Sequence, residues 1–246
     1  MKTSIAFDIE VVSENALLLS WQQTISAVQH SDIIALQTQL NAQLTELIIE
    51  SVASYHCLMI YYDFLKINTD ELITKIHDIA STNSPEKDKL SGDIHSATPL
   101  TEQPCISIPV YYDTEQEWDL RAVAQQCGIS IEEVIKLHSS SVYRSYALGF
   151  TPGFCYLASL PKALTLPRKS TPRTKVPKGA VAIAEQQTAV YPNESPGGWH
   201  IIGQIPLAMY QTHNGEFTPA ITVGKNVQFY AISKAQFLAM KQSEKL

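Results

Sequence analysis

Cysteine is scarce in this chain. Cys57, Cys105, Cys127 and Cys155 are the only four in 246 residues, and they lie 48, 22 and 28 positions apart. There is no Cys-x-x-Cys pair and no metal-finger spacing, so a disulfide scaffold or zinc finger is excluded and most of the four read as reduced core residues. Long apolar runs are missing too: stretches such as Cys57 to Tyr62 reach only about six residues, against the roughly 20 that span a bilayer. Met1 to Glu10 lacks the apolar segment and small-residue cleavage site of a secretory signal, and the expectation is a soluble, cytoplasmic protein with no membrane partner. Neither sign of charge dominates, with 18 basic and 24 acidic side chains and a formal net charge of −6. That balance argues against a general nucleic-acid binder. No P-loop, Rossmann glycine fingerprint or His-Glu-x-x-His is present, and no two of the seven histidines are spaced as helix-face ligands. Neither a self-sufficient nucleotide hydrolase nor a metal site is expected.

What remains is an ordinary globular composition, 45% apolar and 17% charged, at a length sufficient for one large or two small cores. From Ser4 to Ala80 strand and helix periods alternate. Ile5, Phe7, Ile9 and Val11 alternate with polar residues, and Ala16 to Trp21 returns after a turn at Ser13-Glu14-Asn15. Ile33, Leu36, Leu40, Leu44 and Leu47 form one helical stripe behind a Ser31 or Asp32 cap. Two strands follow, Ile48 to Ser54 and Cys57 to Asp63, then a helix on Leu72, Ile76 and Ile79 capped by Thr69 or Asp70. The order β-β-α-β-β-α predicts a small two-layer α+β sandwich over residues 1–81. Residues 82–104, rich in Ser, Thr, Pro, Asp and Lys, read as a linker.

Beyond the linker, Cys105 to Tyr112 reads as a strand. Asp119 to Cys127 is a short helix ended by Gly128, and Ser130-Ile131-Glu132-Glu133 opens another through about Ser139. Nine of the 13 prolines then fall between Pro152 and Pro219, and 8 of the 10 glycines lie at or after Gly149. Short apolar strands at Val181 to Ala184, Ala189 to Tyr191, Trp199 to Ile202, Leu207 to Tyr210 and Val227 to Ile232 predict a β-barrel or sandwich over 105–246.

Val134 to Ala184 contains no acidic residue and eight basic ones, leaving −14 for the rest of the chain. Six of the eight cations, including Arg168, Lys169, Arg173 and Lys175, are interleaved with prolines between Lys162 and Lys178. Proline stiffening lets such a loop present guanidinium groups to a carboxylate or phosphate at low ordering cost. A solvated basic edge, or pairing with the protein's own acidic half, explains the run equally well and is the commoner outcome. Gly149 to Leu157, with Phe150 and Phe154, fits either a backbone that approaches a ligand or an aromatic-packed barrel corner. Gln187 to Gly203 places amide and hydroxyl groups of Gln187, Thr188 and Ser195 beside the rings of Tyr191 and Trp199 and the turn at Gly197, as a small-molecule pocket needs and as a β-turn also needs. His138, on a helix near Tyr143 and Arg144, is either an acid–base group or a packing residue. Cys155 is a weaker candidate for a thiolate nucleophile.

Taken in order, Glu133-Val134-Ile135-Lys136-Leu137-His138, Tyr143 to Leu157, Leu166 to Val176, Pro177 to Ala184 and Gln187 to Gly203 resemble the family of 5-oxoprolinase B subunits, also labelled PxpB, KipI or allophanate hydrolase subunit 1. The resemblance implies a cyclophilin-like β-barrel after a small α/β domain. It implies a subunit that acts with A-type and C-type partners in ATP-dependent opening of 5-oxoproline to L-glutamate, with ATP and Mg²⁺ bound at the level of the complex. Under it, His138, Arg168, Arg173, Lys175 and Gln187 are the candidate catalytic groups. Tyr143, Phe150, Phe154, Thr188, Tyr191, Ser195, Gly197 and Trp199 are the candidate substrate contacts. Some members of the resembled group inhibit a sensor histidine kinase, and others resemble urea carboxylase or allophanate-processing subunits; both remain alternatives. The pattern departs where relatives usually read Gly-Gly-Gln-Thr-Gly, since here stand Glu185-Gln186-Gln187-Thr188-Ala189.

Overall fold

A computed structural model describes residues 7–82, 104–112, 115 and 118–243. Internal contacts divide the chain into two units, Met1–Thr98 and Pro99–Leu246. Apart from its two ends, the linker expected at 82–104 lies outside the described residues.

In the first unit the element order is β1 (Asp8–Ser13), β2 (Ala16–Ser20), α1 (Ala27–Gln43), β3 (Ile48–Ala53), β4 (Cys57–Tyr62) and α2 (Thr69–Thr82). This is the predicted β-β-α-β-β-α series. The four strands form an antiparallel sheet in the order β1-β2-β4-β3. Strand alternation turns Leu17, Leu19, Leu58, Ile60 and Tyr62 to one face, where they pack with Ile33, Leu36 and Leu40 of α1 and Leu72, Ile76 and Ile79 of α2. Each such side chain contributes roughly 1.5–3 kcal/mol on burial. Both predicted caps need correction. Ser26 caps α1, accepting from the Gln29 N–H at 3.3 Å, because the buried face begins with His30, which an apolar stripe does not register. Asn68 rather than Thr69 or Asp70 accepts from the Glu71 N–H, at 3.0 Å, ahead of α2.

The second unit has the β-barrel expected from the sequence. Its strands are β5 (Cys105–Val110), β6 (Val142–Leu148), β7 (Cys155–Ala158), β8 (Arg173–Val176), β9 (Ala180–Ala184), β10 (Gln187–Val190), β11 (Ser195–Gly197), β12 (His200–Gln204), β13 (Tyr210–His213), β14 (Glu216–Pro219) and β15 (Asn226–Ala231). Seven make one sheet, β12-β9-β10-β7-β6-β15-β5. Its edges meet where Tyr111 and Gln204 exchange two backbone hydrogen bonds of 2.9 Å, so the sheet nearly closes on itself. Gly203 permits this closure, since a Cβ there would lie 2.6 Å from Val110 Cγ1. The pairs β8–β11 and β13–β14 stand apart as two-stranded ribbons. Helix α3 (Leu120–Cys127) ends at Gly128 in the left-handed conformation, φ 67°, and α4 (Ile131–Ser140) starts at Ser130, whose Oγ accepts from the Glu133 N–H. A last helix, α5 (Lys234–Ser243), follows β15.

All seven barrel strands contribute to the largest core, including Ile108, Tyr143, Leu157, Ile183, Val190, Ile202 and Phe229, joined by Leu120 and Val123 of α3 and Val134 of α4. This is the barrel interior. The expected strand Leu207 to Tyr210 is displaced: its place is taken by a loop, and the strand is Tyr210–His213. Strands β6, β7, β8, β11 and β14 have no counterpart among the strands expected from the sequence.

Candidate functional site

The face of the barrel opposite that interior carries the candidate site. Along β9, Val181 and Ile183 point inward while Ala180, Ala182 and Ala184 point outward, and β10 adds Ala189 to the same outer strip. The alternation of small and large apolar side chains along the five-residue β9, extended by Ala189 of the four-residue β10, thus produces a floor of methyl groups. Aromatic rings cover it: Phe154, Tyr191 and Trp199 are buried on it, with Tyr156 and Trp118 packed beside them. The rings meet edge to face, Phe154 lying 5.3 Å from Tyr191, 6.0 Å from Trp199 and 4.8 Å from Tyr156. Phe150 caps the group at 5.2 Å from Phe154 and 6.3 Å from Tyr191, yet is 59% exposed and holds a left-handed φ of 70°. A phenylalanine in that conformation is unusual and is the kind of strain that collects at functional loops. Gly197 fits only as glycine, because a Cβ there would overlap the Tyr191 hydroxyl. Ser195 and Gly197 lie on β11, held against Val176 and Arg173 of β8.

Gln187 opens β10 on this outer face. It stands in a row across the sheet with Ala184 of β9, Ala158 of β7 and Arg144 of β6. Burial raises the Tyr156 and Tyr191 hydroxyls above the ordinary tyrosine range, while the Arg168 charge pulls both the other way. Both phenols therefore keep their protons at neutral pH, and the Arg168 charge acts on both. Sequence reasoning misses Tyr156 and Arg144 as residues of this face. Arg144 is 6% exposed and Tyr156 half-buried, and only strand register shows that they share this face.

The cations of the proline-rich loop have separate fates. Asp119, just before α3 and only 4% exposed, accepts from Lys169 Nζ at 2.8 Å, from Arg173 at 3.0 Å and from the Ile201 N–H at 2.8 Å. Burial opposes its charge, but these hydrogen bonds and the Arg173 charge outweigh that and hold its carboxyl below the usual range. Arg173, a candidate catalytic group from the sequence, is thus paired with an internal carboxylate. Lys175 pairs with Glu194 at 3.2 Å, both well exposed, and Arg168 with Glu185 at 3.5 Å. Among the described residues, the internal pairing of these cations uses carboxylates of this unit.

Three predicted site residues lie in the barrel interior rather than on the outer face. His138 is fully buried: its Nδ1 meets the Tyr112 hydroxyl at 2.7 Å, its Nε2 meets Thr188 Oγ1 at 2.9 Å, and its ring stacks on Phe229 at 4.7 Å. Burial lowers its pKa to about 3, so it is a neutral core group. Thr188 faces inward because Gln187 and Ala189, its neighbours on β10, face outward. Tyr143 donates to the His138 carbonyl at 2.9 Å within the same core. Cys155 is also interior, and burial pushes its thiol up to about 12, which rules out a thiolate at neutral pH.

A β-β-α-β-β-α unit followed by a nearly closed barrel defines a two-part domain of carboxyltransferase type. Residues 7–220 match the carboxyltransferase domain, subdomain C and D, and the chain belongs to that family. It is similar to the B subunit of 5-oxoprolinase from Bacillus subtilis (strain 168), 30% identical over 239 residues that cover 97% of this chain and 98% of that protein. The resemblance read from the motifs is thereby borne out. Among solved structures it is similar to that of TTHA0988, with 33% identity, a TM-score of 0.71 and coverage of 89% of this chain. The chain spans only 39% of that protein's length. It also shares its fold with the urea amidolyase of Kluyveromyces lactis, at a TM-score of 0.72 and 14% identity, over 99% of this chain and 16% of that one.

Proposed function

We propose that the chain is the B-type component of an ATP-dependent 5-oxoprolinase that opens 5-oxoproline to L-glutamate together with A-type and C-type subunits. Its contribution is the substrate site on the outer face of the barrel. The observation that carries this reading is a floor of alanine methyls lined by Phe154, Tyr156, Tyr191 and Trp199, with Gln187 in register at its edge and the Arg168 charge acting on both tyrosine hydroxyls. Full-length similarity to a protein named as the B subunit of 5-oxoprolinase supports it.

5-Oxoproline is a flat lactam bearing one carboxylate. The guanidinium of Arg168 matches that carboxylate. The rings of Phe150, Tyr156 and Tyr191 contact the flat ring, and the Gln187 amide donates to the lactam oxygen. An unstrained lactam is a poor electrophile, so its opening needs stabilisation of negative charge on that oxygen, which preset amide and phenol donors provide. Among the described residues no three His, Cys, Asp or Glu side chains gather to hold a metal ion, and no P-loop exists. The groups on the outer face do not fit Mg²⁺-nucleotide, and ATP belongs to the proposal through the whole complex.

Reconstitution with the two partner subunits tests this by measuring glutamate and ADP formed from 5-oxoproline and ATP. Turnover by the complete set is expected, with Arg168→Ala and Gln187→Ala each lowering it by about 10²–10³-fold while the subunits still assemble. A stable complete complex without turnover would overturn the assignment.

A further inference from the structure

We infer that Glu185 sets the selectivity of the outer-face site: its carboxylate is a resident counter-ion on Arg168 that favours ligands with a single negative charge and a hydrogen-bond donor over doubly charged anions. The inference rests on the reading of this face as the substrate site, and deepens it.

Glu185 holds φ 53° at the turn between β9 and β10, a left-handed conformation that L-residues other than Asn and Asp seldom adopt. It is fixed there by its backbone, whose N–H donates to the Leu166 carbonyl at 2.6 Å. That bond ties the turn to the loop carrying Arg168. The loop is itself anchored further along, where the Lys169 N–H donates to the Gly198 carbonyl at 2.8 Å and His200 Nε2 donates to the Pro167 carbonyl at 2.9 Å. Both main chains are thus held, and the 3.5 Å contact between Arg168 Nε and Glu185 Oε1 follows from backbone placement.

The two side chains are 58% and 57% exposed. An ion pair so open to water has a small net worth, so an incoming carboxylate can compete for the guanidinium. The pair leaves the local charge near zero. A monoanion that also carries an N–H, as 5-oxoproline does, places its carboxylate on Arg168 and its N–H on Glu185. A dianion meets a like charge at the same distance and gains nothing from Glu185.

The test is titration of the purified chain with 5-oxoproline and with succinate, a dianion lacking an N–H, in wild type, Glu185→Gln, Glu185→Gly and Arg168→Ala, with circular dichroism as the folding control. Glu185→Gln should tighten succinate about fivefold and 5-oxoproline less than twofold, converting the open-pair energy into affinity. Glu185→Gly, which suits the left-handed turn, should show the same shift in preference. Arg168→Ala should abolish the shift when combined with either. An unchanged succinate to 5-oxoproline ratio in both Glu185 variants overturns the inference while leaving the site reading intact. Binding that ignores Arg168 in every background overturns both.

Discussion

His138 shows how one side chain can be informative about stability and silent about catalysis. Its ring accepts and donates within a closed core network of Tyr112 and Thr188, and burial depresses its pKa from 6.5 to about 3. The unfolded chain therefore binds a proton that the folded chain refuses. For a depressed histidine this means that stability is full above pH 6.5 and declines as pH falls toward 3, at roughly 1.4 kcal/mol per pH unit. Thermal unfolding between pH 7.5 and 4.5 checks this. His138→Gln should lower Tm at pH 7.5, because Tyr112 and Thr188 lose their partner geometry, and should flatten the acid slope relative to wild type. An equal slope in both proteins would assign the acid sensitivity elsewhere. The residue is legible in sequence only as two alternatives, because a helix face with Ile131, Ile135 and His138 looks alike whether the histidine points into a core or a cleft. The same holds for Gln187 and Thr188: adjacent positions on a strand must face opposite ways, and only the register with β7 and β9 decides which one lies on the outer face.

At the scale of elements, the proline-rich loop depends on a residue outside it. Val134 to Ala184 contains no acid, so the sequence offers no hint that Asp119, before α3, is the anchor for Lys169 and Arg173. Proline stiffness alone does not place the loop; a buried carboxylate does. Asp119→Ala leaves two cations and the Ile201 N–H without their acceptor, and should destabilise the barrel by about 3 kcal/mol. Arg173→Ala should cost less, since Lys169 still neutralises the carboxylate. Urea denaturation of both variants measures the order, and equal losses would mean that Arg173 carries the whole contact. The depressed carboxyl of Asp119 contributes stability that is present above the ordinary aspartate pKa and disappears as pH falls below it, so Asp119→Asn should show less additional loss in strong acid than wild type. Strand assignment follows the same logic of local against distant causes. β9 is readable because its apolar run is continuous and β15 because Val227, Phe229 and Tyr230 cluster within six residues, whereas β8 and β11, Arg-Thr-Lys-Val and Ser-Pro-Gly, exist only through pairing with each other.

Over the whole molecule, the two units differ in charge and each has its own core. Residues 1–98 carry 5 basic and 13 acidic side chains, and residues 99–246 carry 13 basic and 11 acidic. The hydrophobic cluster of the first unit shares no residue with the two clusters of the second. This two-part plan is readable from the change in texture between strand–helix alternation and the proline- and glycine-punctuated strands that follow. Independent cores predict independent folding. A fragment comprising residues 104–246, about 140 residues, is long enough to bury a core without staples, and it keeps every strand of the seven-stranded sheet as well as Asp119. It should unfold in one cooperative transition, followed by far-ultraviolet circular dichroism, with a Tm within a few degrees of the corresponding transition in the full chain. Its Trp118 and Trp199 should show native near-ultraviolet signals, because the aromatic face is built entirely within it. A fragment that is unfolded, or that lacks those signals while retaining secondary structure, would mean that residues 1–98 contribute to the barrel's packing. The first unit, at less than 100 residues, buries a smaller fraction of its surface and should be the less stable when expressed alone.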